Sequence, residues 1–241
     1  MVQPLAAFHL TIDIHKVGTN QSFRCNGHWG EYTAEVSKFI ETSVIDFSCK
    51  LLQMDYCPKV CAFLKELDEA VDVESLDARC ERVKSILEDV FHNGEDLLPP
   101  EFIVPHPEKY ARRLLHRDPA GRYSVVIMVW GVGQGTFLHD HAGEWCVECV
   151  YRGKISVTSY DLIGSESAAL VQFKEEKTIM AGTGEAGALI PPFEYHTIAN
   201  ALPSEPTVTV HVYGHELEWC NIFIPGEGGW TKERRELSYT A

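Results

Sequence analysis

The spacing of hydrophobic residues divides the chain into a helical first part and a β-rich second part. From about Glu31 to His92 the hydrophobic positions recur every three or four residues, which is typical of amphipathic helices. Asp72 and Glu74 favour a helix N-terminus, and Pro58 separates two helical regions. The first predicted stripe is Val36, Phe39, Ile40, Val44, Phe47, Leu51 and Leu52. The second predicted stripe is Val83, Ile86, Leu87, Val90 and Phe91.

From Tyr123 onward, short runs of β-branched and aromatic residues alternate with turn signals. The runs that predict strands are 123–130, 144–153, 154–161, 172–180, 186–190, 207–214 and 219–226. Strands at this regular short spacing are typical of an antiparallel barrel or jelly roll. The strand–helix alternation of a parallel sheet is not found in the sequence. The expected fold class is therefore mainly β, a jelly-roll β-barrel preceded by an α-helical N-terminal segment.

The predicted domain organisation follows from this change of pattern. Residues 93–107 contain four prolines and one glycine, which is typical of a linker. We expect residues 1–107 to form a helical N-terminal segment and linker, in which residues 1–30 show little periodicity and could form a loose terminus. Residues 108–241 are expected to form the barrel with the functional site.

Composition and charge limit the classes of partner. The 241 residues are 45% hydrophobic and 23% charged, as in ordinary globular proteins, and the formal net charge is −14. A surface this acidic argues against nucleic acid or an anionic membrane as the main partner. No hydrophobic run reaches the roughly 20 residues that a membrane-spanning helix needs. A small molecule is therefore the expected partner.

The cysteines and the first residues bear on the cellular compartment. The eight cysteines are too sparse in this chain for a disulfide scaffold, so most are expected to be buried, reduced side chains. Residues 1–7 lack the charged start and long apolar core of a secretory signal. A cytoplasmic location is expected, and the chain is expected to act as a monomer.

Four histidines of the β-rich part fall where a metal site could form. His139 and His141 are two positions apart, so on a strand both imidazoles point to the same face. His196 follows a strand-like run, and His211 lies in the middle of an alternating strand. A His-x-His pair alone is a weak signal of a metal site, so its sequence context decides its meaning.

That context consists of two segments that resemble the two cupin motifs. In GQGTFLHDHAGEWCVECVYRG (133–153) the terminal glycines and the His-x-His pair match the first motif, whereas Cys146 occupies the position of the motif's glutamate. In PPFEYHTIAN (191–200) Pro191, His196 and Asn200 match the second motif. Two motifs in this order within a β-rich region indicate that the barrel has the cupin fold.

The missing glutamate changes the expected metal chemistry. Non-haem iron sites commonly use two histidines and one carboxylate, whereas His139, His141 and His196 would provide three neutral imidazoles. Such a set leaves the full dipositive charge of Fe(II), which favours an anionic ligand and drives deprotonation of a bound thiol. The residues therefore indicate one Fe(II) per chain and a thiol substrate.

The segment from about Tyr110 to Cys220 resembles the cysteine dioxygenase family. The resemblance rests on YARRLLHRDPAGRYSVVIMVWGVGQGTFLHDH (110–141) and on TVHVY (209–213), where the family has Ser-x-His-x-Tyr. It implies that His139, His141 and His196 are the iron ligands. It also implies that Arg112, with Tyr110 beside it, binds the carboxylate of the substrate.

The resemblance implies further roles for residues around the metal. Tyr213 would orient substrate and oxygen, with His211 holding its hydroxyl and Thr209 supporting His211. Cys146 falls on the cysteine that, in the animal-type enzymes, forms a thioether with the tyrosine matched by Tyr213. Threonine at position 209 and the residues AGEW (142–145) depart from the family pattern.

The expected function is an iron-dependent dioxygenase that adds both atoms of O2 to the sulfur of L-cysteine, giving cysteine sulfinate in cysteine catabolism. One alternative is a dioxygenase of another small thiol acid such as 3-mercaptopropionate. Those enzymes usually carry glycine at the position of Cys146 and take the carboxylate-binding arginine from elsewhere. The other alternative is a non-catalytic metal-binding cupin, which the presence of Arg112, His211 and Tyr213 disfavours.

Overall fold

The computed structural model of the chain describes the backbone of residues 13–17, 20–25 and 28–32, and the full residues of 58–92 and 97–240. The chain divides into two compact units, residues 1–61 and 62–241. The first predicted hydrophobic stripe, from Val36 to Leu52, lies outside the described residues. The predicted domain boundary between residues 107 and 108 stays a prediction.

The first unit contains a three-stranded antiparallel sheet, in which β2 is central. Its strands are β1 (Asp13–Val17), β2 (Asn20–Cys25) and β3 (His28–Tyr32). These strands differ from the expectation that residues 1–30 form a loose terminus and that helical spacing begins at about Glu31. The reason is that these short strands lack a regular alternation of hydrophobic and polar residues, which is the main sequence signal for a strand.

Two helices precede the barrel strands. Helix α1 (Pro58–Val71) begins at the proline that was predicted to separate the helical regions, and α2 (Leu76–His92) contains the second predicted stripe. The predicted linker contains a short 3-10 helix, Pro100–Ile103. Among the described residues, no helix has both the length and the hydrophobicity required to span a bilayer.

Helix α2 packs on the outside of the barrel through its hydrophobic face. The ring of Phe91 meets that of Tyr151 edge-on, with 5.4 Å between centroids. The thiol of Cys149 donates to the carbonyl of Leu87 across 3.9 Å. The buried residues of this helix face are Cys80, Val83, Ile86, Leu87 and Phe91.

The described cysteines follow the expectation of buried, reduced thiols with one exception. Cys80, Cys146, Cys149 and Cys220 are free and buried. Cys61 is disulfide-bonded and is the exception to an expectation that was made for most of the cysteines. Spacing alone does not identify the pairing of eight cysteines, which explains why the sequence did not reveal this bond.

The second unit carries the barrel, built from two antiparallel sheets. One sheet has the order β10-β7-β12-β5-β4, and the other has the order β14-β13-β6-β11-β8-β9. From β5 to β13 the chain crosses repeatedly between the two sheets, as in a jelly roll. The predicted fold class, a mainly β jelly-roll barrel preceded by helices, is confirmed. The strands are β4 (Ala111–Arg117), β5 (Ser124–Trp130), β6 (Leu138–His139), β7 (Cys146–Arg152), β8 (Lys154–Ile163), β9 (Gln172–Gly182), β10 (Ala186–Leu189), β11 (His196–Asn200), β12 (Thr207–Tyr213), β13 (Trp219–Gly226) and β14 (Gly229–Glu236).

Strand β12 positions much of the functional site. It lies between β7 and β5, and all of its residues are buried. Because strand side chains alternate, Thr209, His211 and Tyr213 share one face, and His211 and Tyr213 line a cavity in the barrel. The valines between them point to the opposite face of the sheet.

Candidate metal centre

Three imidazoles converge inside the barrel. His139 on β6 and His196 on β11 are direct cross-strand partners, and His141 follows His139 by two residues. The ring centroids lie 4.4 Å apart for His139 and His196, 5.1 Å for His141 and His196, and 5.3 Å for His139 and His141. One ligating nitrogen from each ring lies within 4.8 Å of the other two. The structure thus brings together the three predicted ligands.

Backbone carbonyls orient two of these rings. Nδ1 of His139 lies 3.0 Å from the carbonyl oxygen of Phe137, and Nδ1 of His196 lies 3.0 Å from that of Glu194. A ring nitrogen that bonds a carbonyl must carry the proton, so Nε2 of each ring keeps its lone pair for a metal.

The electrostatic surroundings keep all three rings neutral. Burial lowers the pKa of His139 and, together with neighbouring histidines, lowers the pKa of His141 and His196 well below the usual value. Neutral imidazoles at this separation are suitable ligands for a divalent first-row metal. The donor set therefore fits Fe(II).

A small cavity lies beside the three imidazoles. The three imidazoles line it together with the predicted site residues Tyr110, Arg112, His211 and Tyr213, and hydrophobic side chains such as Met128 complete its lining. Tyr110 also packs its ring against Trp130, with 4.7 Å between centroids. The cavity combines imidazoles, a cation and apolar side chains, which suits a small polar molecule with an anionic group.

Arg112 supplies the buried cation of this cavity. It lies on β4 and is only 4% exposed. Its Nη2 donates to the carbonyl of Leu217 across 2.7 Å, whereas its buried Nε has no hydrogen-bond partner in the part of the chain that the structure describes. A buried donor without a partner is costly, and a charged one matches a carboxylate oxygen.

Thr209 connects Trp130 to His211 through hydrogen bonds. Nε1 of Trp130 donates to Oγ1 of Thr209 across 2.9 Å, and this oxygen lies 2.7 Å from Nε2 of His211. Because the indole N–H can only donate, the threonine hydroxyl accepts from it and is free to donate its own proton to Nε2. Nδ1 of His211 then carries the ring proton, and burial lowers the pKa of His211 to about 3.

His211 and Cys146 are two of the neighbours of Tyr213 in the five-stranded sheet. The rings of His211 and Tyr213 stack with 5.9 Å between centroids and an interplanar angle of 14°. The sulfur of Cys146 lies 3.9 Å from Nδ1 of His211. Tyr213 also approaches a predicted ligand, because its ring centroid lies 5.8 Å from that of His141.

Glu148 belongs to this site although it was not predicted. It lies on β7 opposite His211 and is 5% exposed. Its Oε2 lies 3.5 Å from Nδ1 of His211 and 4.0 Å from Nε2 of His196, and it has no hydrogen-bond partner among the described residues. Burial raises the pKa of this carboxyl to about 7. The signal available in the sequence was its position two residues after Cys146, which places both side chains on one face of the strand.

A family model described as cysteine dioxygenase type I matches residues 61–224. This segment is more than half of the chain, and the chain belongs to this family. The matched segment contains the three-histidine cluster, Arg112 and the lumen-facing residues of β12.

Curated relatives are similar at low identity. Cysteine dioxygenase type 1 of Rattus norvegicus is 25% identical over 115 residues, which are 48% of this chain and 56% of the rat protein. The match therefore spans little more than half the length of that relative. The protein of the same name from Danio rerio is 21% identical over 160 residues, which are 66% of this chain and 76% of that protein.

Solved structures also align with this chain. The crystal structure of TT1209 from Thermus thermophilus has a TM-score of 0.37 and 19% identity, covering 48% of this chain and 91% of that chain. Oxalate oxidase in complex with the substrate analogue glycolate has a TM-score of 0.34 and 17% identity, covering 46% of this chain and 53% of that chain.

Proposed function

We propose that this protein is an iron-dependent thiol dioxygenase that converts L-cysteine and O2 to cysteine sulfinate. The observation that carries the proposal is that Arg112, a buried cation with an unpartnered Nε, lines the same cavity as three neutral imidazoles. The imidazoles suit a metal with a thiolate, and the guanidinium suits a carboxylate. A thiol amino acid supplies both groups in one small molecule.

The proposed iron site uses His139, His141 and His196, with one ion per chain. Ferrous iron bound there would supply a Lewis acid that favours the thiolate form of the substrate and electrons that make O2 reactive. The reaction balances without an external reductant, because a thiol RSH and one O2 together give the sulfinic acid RSO2H.

Arg112 would fix the position of the substrate. A guanidinium presents several N–H groups in one plane and binds a carboxylate through paired, charge-assisted hydrogen bonds, which lysine cannot reproduce. The carbonyl of Leu217 already accepts from Nη2, whereas Nε is a donor whose hydrogen bond the substrate carboxylate would supply. Tyr110, packed on Trp130, forms the neighbouring wall.

Tyr213, which also lines the cavity, would orient the reacting groups. Burial raises its pKa well above the usual value, so its hydroxyl stays protonated and can donate a hydrogen bond. The stacked ring of His211 restrains Tyr213, and Thr209 restrains His211. Side chains such as Met128 exclude water from the space between these groups.

The proposal is tested by oxygen uptake and product analysis with Fe(II)-loaded protein over a small panel of thiols. The panel contains L-cysteine, 3-mercaptopropionate, which lacks the amine, and cysteamine, which lacks the carboxylate. We expect the highest kcat/KM with L-cysteine and one O2 consumed for each sulfinate formed. A higher kcat/KM with 3-mercaptopropionate would favour the other thiol-acid reaction, and no uptake with any thiol would favour a non-catalytic protein.

A further inference from the structure

The residues after β14 cross β4 beside Arg112. We call this segment, residues 237–240, the strap. The amide of Thr240 donates to the carbonyl of Arg112 across 2.7 Å, and the amide of Arg112 donates to Oγ1 of Thr240 across 3.1 Å. At the other end of the strap, the amide of Leu237 donates to the carbonyl of Glu218 across 2.7 Å. The strap is therefore hydrogen-bonded to the backbone on both sides of Tyr239.

Tyr239 lies directly against the charged group of Arg112. The guanidinium carbon is 4.6 Å from the centroid of the tyrosine ring, which is within the range of a cation–π interaction. The hydroxyl of Tyr239 donates to Oε1 of Glu216 across 3.0 Å, and Glu216 also forms an ion pair with Arg117. The ring is thus anchored at its hydroxyl while its face contacts Arg112.

These contacts restrict a side chain that would otherwise have several rotamers. The carbonyl of Leu217 accepts from Nη2, and the ring of Tyr239 lies against the guanidinium carbon. These two contacts hold the guanidinium in place while Nε stays without a hydrogen-bond partner among the described residues. Restricting the side chain before the substrate binds reduces the entropy lost on binding.

We propose that Tyr239 is a positioning residue for carboxylate recognition, acting through Arg112. The inference rests on the proposed function, because the carboxylate is that of the thiol substrate. It adds to that function a residue outside the family match, which ends at residue 224. The contact predicts that loss of the ring affects substrates with a carboxylate and spares those without one.

The test is anaerobic calorimetric binding of L-cysteine and of cysteamine to the Fe(II)-loaded full chain. Tyr239→Leu removes the aromatic face, and we expect it to raise the Kd of L-cysteine by about 3- to 30-fold. The Kd of cysteamine should change by less than about twofold, since Arg112 has no carboxylate to bind in that complex. Tyr239→Phe keeps the ring and should restore cysteine binding to within about threefold of the wild type.

A double-substitution cycle separates positioning from a general effect on stability. If Tyr239 acts through Arg112, then adding Tyr239→Leu to Arg112→Ala should produce no further change in the Kd of L-cysteine. Thr240→Val gives a second way to loosen the strap, because it removes the oxygen that accepts the amide of Arg112. This variant should also raise the Kd of L-cysteine without raising that of cysteamine. Thr240→Ser, which keeps the hydroxyl, should leave both Kd values unchanged.

The possible results distinguish this inference from the proposed function. If Tyr239→Leu weakens the binding of both thiols equally, or does not weaken the binding of L-cysteine, the proposed role of Tyr239 is overturned. The proposed function is not affected by that result. A wild-type protein that binds cysteamine but not L-cysteine, or neither thiol, would contradict the proposed function and this inference together. If Tyr239→Leu selectively weakens the binding of L-cysteine and Tyr239→Phe restores it, the result supports both the proposed function and the role of Tyr239.

Discussion

Cys146 on β7 and Tyr213 on β12 are direct cross-strand partners, and both side chains belong to the same buried cluster. Both residues are buried, and burial raises the pKa of the thiol and of the phenol well above their usual values. Both groups are therefore protonated in the folded protein. The register of the sheet thus brings together the two residues of the predicted thioether, beside the predicted metal ligands.

We predict that Cys146 and Tyr213 become linked by a thioether during turnover. The bond would form between Sγ and a ring carbon of the tyrosine, with loss of two hydrogen atoms to O2. The link would fix the hydroxyl of Tyr213 and reduce the entropy lost when it contacts the substrate. Intact mass spectrometry after turnover with iron, L-cysteine and O2 should reveal a population lighter by two hydrogens.

Two substitutions make this mass measurement specific. Cys146→Gly and Tyr213→Phe should each abolish the lighter population. Cys149→Gly is the matched control, because Cys149 lies on the same strand but its thiol contacts the carbonyl of Leu87 on α2. Failure to detect the lighter population after exhaustive turnover would contradict the prediction.

Replacement of Arg112 by alanine should impair recognition of the substrate carboxylate. We expect the KM of L-cysteine to rise by about 10- to 100-fold, whereas the KM of cysteamine should change by less than about threefold. Steady-state kinetics on the two thiols measures this difference. Arg113→Ala is the matched control, since Arg113 is the next residue of β4 and its Nη1 lies 3.4 Å from the carbonyl of Phe102. An equal rise in the KM of both thiols would contradict a role of Arg112 in binding the carboxylate.

Replacement of Glu148 by leucine should stabilise the metal-free protein. A buried carboxyl oxygen without a hydrogen-bond partner is costly, and a hydrophobic side chain of similar size removes that cost. We expect the free energy of unfolding in urea to rise by about 1–3 kcal/mol. Glu148→Gln keeps a polar group at the same place, so its free energy of unfolding should rise by less. A loss of stability in Glu148→Leu would show that this carboxyl has a favourable role in folding.

The ion pair between Asp118 and Arg122 should make stability depend on pH in the acid range. Hydrogen bonds from Arg122 to both carboxyl oxygens of Asp118 lower the pKa of Asp118 from 3.8 to about 2. Arg122 also pairs with Asp68 and Asp72. Because the folded-state pKa is lower than the unfolded one, the stabilisation is present above about pH 4 and is lost as the pH falls toward 2.

Urea unfolding as a function of pH tests this prediction. After allowance for solvent screening at Arg122, we expect Asp118→Asn to lower the free energy of unfolding at pH 7 by about 1–2 kcal/mol. The difference from the wild type should shrink as the pH falls below about 4. Glu233→Gln removes an exposed ion pair with Arg235 and should change stability by less than about 0.5 kcal/mol. If the free energies of unfolding of the wild type and Asp118→Asn differ as much at pH 2 as at pH 7, the stabilising role of the Asp118–Arg122 ion pair is contradicted.

Local sequence patterns were sufficient to predict most of the barrel strands and the convergence of the three histidines. His139 and His196 are cross-strand partners, a relationship that the cupin motifs encode through their positions on paired strands. The approach of Cys146 to Tyr213 followed from the same motifs and the alternation of β12. These features depend on short-range spacing, which a single sequence contains.

Three barrel strands that were not predicted from the sequence carry weak local signals. Strand β4 has a bulge between Leu114 and His116 and contains several cations, so hydrophobic alternation is interrupted. Strand β6 has two residues, and the exposed strand β14 is mostly charged. Neither provides enough alternating positions for a prediction.

Glu148 and Tyr239 could not be predicted because their roles depend on long-range contacts. Glu148 is one polar residue in a hydrophobic run, and only the pairing of β7 with β12 places it opposite His211. Tyr239 lies in a short segment without periodicity, more than a hundred residues after Arg112 in the chain. Such contacts arise from the tertiary fold, and the sequence near Glu148 indicates only that its side chain shares a strand face with that of Cys146.

The most direct test of the central claim is the isotopic composition of the product formed under 18O2. Fe(II)-loaded protein should convert L-cysteine to cysteine sulfinate in which both added oxygen atoms are 18O, as measured by mass spectrometry. His196→Ala, which removes one of the three imidazoles, should lose bound iron and form little product. Sulfinate that carries one or no 18O atom, or no sulfinate at all from the iron-loaded wild type, would contradict the account.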